Sequence, residues 1–114
     1  MTNYQWSSYS DFYLGSAYAA FPQEHRRSCG QYPFLMVQSQ QSPHNFSDPA
    51  LPETLVALPI CVEKESAWVW SMNGKHYQQK LRPGSMLVVP ADTQSEWEIN
   101  TCRILLVLTL PNST

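Results

Sequence analysis

The sequence predicts an all-β fold, a sandwich or closed barrel of short antiparallel strands. Two turns and a rhythm lead to that reading. Asn73-Gly74 stands between two strand-like runs, and both residues tolerate the positive φ that a tight hairpin requires. Pro83-Gly84 supplies a second tight connection soon after. From Leu55 to Leu110 short apolar runs recur with turn signals between them.

The elements follow in order. Asp11 to Ala20 has apolar residues at helical intervals and predicts one short helix, ended by Pro22. Tyr32 to Gln40 reads as a strand, and Gln41 to Pro52 as a polar, Pro-rich loop. Leu55 to Glu63 is an apolar strand in which Pro59 favours an edge or a bulge. Ser66 to Met72 and Lys75 to Leu81 form the hairpin. A two-residue loop places Trp70 opposite Tyr77 and Trp68 opposite Gln79, so Trp68, Trp70, Met72 and Tyr77 share one face. Ser85 to Pro90, Ser95 to Ile99 and Cys102 to Leu110 complete the series. Closure suits strands that carry few charges to guard an open edge.

At 114 residues the chain is most simply one domain, with an arm and first strands over 1–50 and core strands over 55–111. Four Trp, six Tyr and four Phe are too much apolar surface for a disordered chain. The net charge of −2 and the scattered basic residues exclude a phosphate-neutralising stripe, so no direct nucleic-acid contact is expected. The N-terminus lacks the charge and apolar stretch of a secretory signal, and no run is long enough for a membrane helix. The expected location is cytoplasmic, with no membrane partner. Three cysteines without close spacing indicate neither a disulfide framework nor a zinc motif. Cys61 and Cys102 lie in apolar runs and read as small buried hydrophobes. Cys29, beside Arg26 and Arg27, is the one thiol whose surroundings favour the thiolate.

Gly74 to Tyr77, Arg82-Pro83-Gly84, Met86 to Pro90, Glu96-Trp97-Glu98 and Leu105 to Pro111 occur in a distinctive order. With them the segment Asn73 to Pro111 resembles the second half of a cupin-type barrel, an RmlC-like jelly roll. More narrowly, it is similar to the N-terminal ligand-binding domain of AraC-type transcription regulators. The resemblance implies a cupin-like antiparallel β-barrel and a ligand-sensing role in transcription regulation. It implies too that an N-terminal arm, here Tyr4, Trp6, Tyr9 and Phe12, folds over the ligand. The helix-turn-helix region of those regulators has no counterpart in this sequence, so no promoter reading by a recognition helix is expected.

Metal-binding cupins carry Gly-x5-Pro-x-Gly-x2-His. Here Gly84 and Pro90 hold their places, but Asp92 stands for the second Gly and Ser95 for the His. No set of converging donors can be assembled, so neither metal nor other cofactor is expected. The candidate ligand-binding residues are Trp68, Trp70, Met72, Tyr77, Trp97 and Arg103, aromatic walls with one cation for a sugar or aromatic ligand. Glu96 and Glu98 are further polar candidates.

Three functions follow. The first is a metal-free, small-molecule-binding barrel that forms a homodimer. The second is a protein-interaction or dimerisation module with a filled barrel, its aromatics serving as core or interface. The third is a cofactorless isomerase- or epimerase-like enzyme, with His76 as a base oriented by Asp92, Glu96 or Glu98. Against the third, a hairpin His commonly faces solvent.

Overall fold

Two antiparallel sheets enclose the core in the computed structural model, which describes residues 6–27 and 34–111. A helix, α1 (Tyr9–Gly15), and a 3-10 turn (Ala17–Ala20) precede nine strands. The strands are β1 (Gln23–Arg27), β2 (Leu35–Gln41), β3 (His44–Asp48), β4 (Glu53–Val62), β5 (Ala67–Met72), β6 (Lys75–Lys80), β7 (Leu87–Val89), β8 (Ser95–Ile99) and β9 (Arg103–Pro111). One sheet runs β1-β2-β9-β4-β7 and the other β3-β8-β5-β6. The all-β expectation holds. Tyr4 and Cys29 lie outside the described residues, as do the first two residues of the strand expected from Tyr32.

The strands follow from period-two burial. Val37, Val107, Ala57 and Leu87 form one row across the larger sheet and point inward. Trp68, Trp70, Trp97 and Ile99 point inward from the smaller one. The Asn73-Gly74 turn has φ of 54° and 72°, the pair of positive values its sequence requires. It sets the expected register, Trp70 opposite Tyr77 and Trp68 opposite Gln79. Pro59 lies beside a register shift between Pro59 and Cys61, the expected bulge.

Two expectations need correction, and one strand was not foreseen. Gln41 to Pro52 is not all loop, because His44–Asp48 forms β3 and pairs with β8. The flanking Pro43 and Pro49 hid a strand in which His44, Phe46 and Asp48 alternate inward. The polar Gln23–Arg27 segment gave no strand signal, yet it pairs with β2 as an edge strand. Cys61 and Cys102 are both exposed rather than buried. Cys61 follows the bulge onto the outer face, and Cys102 precedes β9 with its N–H held by Glu63 Oε1 at 2.7 Å.

The N-terminal segment belongs to the core. Ser8 caps α1 by accepting from the Asp11 N–H at 3.1 Å, and acidic Asp11 suits the first turn. Tyr9, Phe12, Tyr13 and Tyr18 are all buried, and Trp6 lies against Phe12 at 5.8 Å between ring centroids. A methyl group at Gly15 would come within 2.6 Å of the Trp6 ring, so glycine is what lets the indole close over the helix. Gln23 Nε2 ties the segment to β1 by donating to the carbonyls of Tyr13 and Tyr18 at 3.1 and 3.0 Å.

Candidate functional site

Both sheets and the N-terminal helix converge on one interior region. Tyr13, Tyr18, His44, Asp48, Trp68 and Trp97 are among the side chains lining it. The space left is a cavity of about 30 Å³, room for no more than about two water molecules. Tyr13 and Tyr18 of the N-terminal segment are buried in its lining. Tyr13 and Tyr18 meet edge to face at 4.7 Å, and Tyr18 meets Phe46 in the same way at 4.8 Å.

Asp48 is the chemical centre of this region. Its side chain is buried at the end of β3 and accepts from the Tyr18 hydroxyl at 2.9 Å. Burial pushes its carboxyl up to about 7, while the Tyr18 hydroxyl and Trp97 indole pull the other way. Burial likewise raises the Tyr13 and Tyr18 phenols well above their ordinary value, with the Asp48 charge adding to it. His44 is lowered, chiefly by burial and further by the Arg103 charge, against its bond to the Ser42 carbonyl. That 2.7 Å bond to a carbonyl assigns the proton to Nδ1. At the entrance Glu53 Oε1 accepts from the Tyr9 N–H at 2.7 Å, anchoring α1.

The sequence candidates fall into one aromatic chain with a cation at its end. Trp70 stacks on Tyr77 at 5.1 Å and on Trp97 at 6.0 Å. Trp97 meets Trp68 at 5.9 Å, and the Arg103 guanidinium lies 5.7 Å over the Trp68 ring. Met72 packs half-buried against this group. Only Trp68 and Trp97 of the six line the interior cavity. Sequence reasoning did not single out Asp48, His44, Tyr13 or Tyr18, because it read their segments as loop and arm.

His76 lies outside the barrel. It is exposed on β6 with Nδ1 2.7 Å from Ser71 Oγ, beside a surface cleft of about 170 Å³ that Glu96 and Glu98 also line. Asp92 sits in a separate turn at φ 60°. The inward His–carboxylate pair that acid–base chemistry would need is not formed with any of the three.

Ser95, at the position of the metal motif's His, is buried and accepts the Trp97 indole N–H at 2.8 Å. Among the described residues no three His, Cys, Asp or Glu side chains converge to hold a metal. The donor set does not fit a divalent transition metal. Among the described residues no helix is long and apolar enough to cross a membrane.

No protein-family model and no curated protein matches this chain. Solved structures do match in shape. KdgF from Halomonas sp. superposes with a TM-score of 0.54 at 11% identity, over 80% of this chain and 82% of that one. An RmlC-like cupin from Shewanella frigidimarina gives 0.55 at 11%, over 78% and 76%. A cupin superfamily protein from Desulfitobacterium hafniense gives 0.53 at 14%, over 79% and 78%. Likeness at such identities concerns the backbone alone. The chain therefore has the cupin fold, an all-β antiparallel jelly roll.

Proposed function

We propose that this protein is a metal-free, small-molecule-binding barrel whose interior site is closed at rest by its own N-terminal segment. One observation carries the reading: a buried, proton-binding Asp48 amid aromatic walls, capped by the hydroxyl of a tyrosine from outside both sheets. A barrel that only had to fill itself would use aliphatic side chains from its own strands, since a buried carboxyl is costly. Tyr18 presents to that carboxyl the ring and hydroxyl that a phenolic or sugar ligand would present. The resemblance of Asn73 to Pro111 to the sensor half of AraC-type regulators supports the same reading and makes effector sensing its context.

Thermal unfolding of the full chain with sugars, aromatic acids and amines tests it. A binder should raise the midpoint with concentration as binding linkage requires. Absence of any shift across the panel, in the wild type and in Tyr18→Ala alike, would contradict the reading.

The outer face of the larger sheet favours a second role, pairing with another copy of this chain. Met36, Leu108, Val56 and Val88 form one continuous row there, and Leu106 and Leu58 the next. Met86 and Val88 are 63% and 43% exposed on the same side. Four strands of about seven residues span on the order of 450 Å² in flat projection, before side-chain relief is counted. That is over half of the roughly 800 Å² per partner of a standard interface. The face is nearly uncharged, with the Arg26–Glu24 pair at its β1 edge, the arrangement of an apolar core and a polar rim. A second copy presents the same apolar surface and completes a two-fold contact. Sedimentation at micromolar concentration should give a dimer that Leu108→Glu converts to a folded monomer. A wild-type monomer at all concentrations would remove this role.

A further inference from the structure

Arg103 is a buried cation without a counter-ion among the described residues. The residue is 3% exposed, at the start of β9 and facing inward. Its Nη2 donates to the Ala67 carbonyl at 3.1 Å and to Thr101 Oγ1 at 3.2 Å. Its Nε and Nη1 are buried and have no hydrogen-bond partner among the described residues. All nine acidic residues of the sequence lie within the described residues, and none comes within ion-pairing distance of it. Buried guanidinium groups are normally paired, because removing the charge from water is expensive and each unmade N–H bond adds to that cost. Burial accordingly lowers its pKa to about 10.

Beside this side chain opens a groove of about 410 Å³. Its walls include Gln40, Gln41 and Ser42 at the β2 end, and Arg103. Glu63 also lines it, but that carboxylate is engaged by the Cys102 N–H. The groove therefore sets amide and hydroxyl donors beside a buried, unsatisfied positive charge, and its Gln41 also lines the interior cavity. Arg is suited to this role, since its planar donors match an oxyanion and its face stays on an aromatic ring.

We infer that the groove against Arg103 is an oxyanion-binding site, taking a small organic carboxylate or an inorganic oxyanion such as phosphate. The site is separate from the interior one and stands whether or not that one takes a ligand. Nε and Nη1 are covered, so binding requires a side-chain rearrangement at the groove wall.

The Arg103 Nε–H resonance of the full chain, identified by its contacts with Trp68, reads that rearrangement. Titration with acetate, benzoate and inorganic phosphate, each against sodium chloride of equal ionic strength, should shift it saturably with at least one anion, at a millimolar midpoint or tighter. Saturation with benzoate or acetate alone assigns an organic carboxylate; saturation with phosphate alone assigns the inorganic anion. The same anion should raise the unfolding midpoint of the wild type and not of Arg103→Met. In chloride alone Arg103→Met should unfold no earlier than the wild type, because it removes an uncompensated charge. Tyr18→Ala should leave the Nε–H shift in place, which separates this site from the interior one. An Nε–H resonance that none of the three anions moves saturably would overturn the inference, as would an equal midpoint gain in Arg103→Met.

Discussion

Replacing Asp48 with Asn should flatten the pH dependence of stability between about pH 4 and pH 7. The folded carboxyl titrates at about 7, against 3.8 for the free group, so the folded state binds its proton more tightly than the unfolded chain. Stability from this group is then fully present below about pH 4 and lost as the pH rises through about 7. The difference corresponds to about 4 kcal/mol, a large share of a small domain's total. Glu53 is raised too, chiefly by burial, and adds a slope of the same sign that Asp48→Asn leaves intact. His25 and His44 are lowered and act oppositely, losing stability as the pH falls below their ordinary value. Urea unfolding of both proteins at several pH values isolates the Asp48 part. A constant difference between them from pH 4 to pH 7.5 would show that Asp48 is not held protonated by the fold.

Trp97→Ala should cost about 3–5 kcal/mol, the range for truncating a large buried aromatic. Trp97 is wedged between Trp68 and Trp70, and its N–H is bound by Ser95. It lines both the interior cavity and the outer cleft, so its removal joins the two and admits water beside Asp48. Trp97→Phe keeps a ring but orphans Ser95, and should cost about 1–3 kcal/mol. Chemical denaturation of the two variants checks the ordering. A Trp97→Ala loss under about 1 kcal/mol would mean that the ring is not a wall of the core.

The C-terminal half was the legible half. Asn73-Gly74 fixes a register by turn chemistry, and that register alone brings Trp70 onto Tyr77. Strong alternation from Ser95 to Ile99 likewise marks β8 residue for residue. The N-terminal half was obscured for physical reasons. In β3 the inward residues are His44, Phe46 and Asp48, and two of the three are polar. A pattern argument that expects apolar residues inside misses a strand built to present a carboxyl. The helix was anticipated, but its burial was not, because no local pattern reveals that its tyrosines fill the space between two sheets. Cys61 shows the limit in another way, since the bulge beside Pro59 turns a residue of an apolar run outward. The aromatic candidates came together, while the polar groups that would orient a ligand lay in segments read as connection.

On the proposed reading, Tyr18 occupies, on the protein's own behalf, a place shaped for a ligand. Calorimetric titration of p-cresol into full-chain Tyr18→Ala tests it most directly, with the wild type as control. The vacated ring site retains Asp48 as hydroxyl acceptor and Tyr13 and Phe46 as edge contacts. Saturable binding of p-cresol to Tyr18→Ala, and none to the wild type, is the predicted result. Equal heats for the two proteins, or none from either, would contradict it.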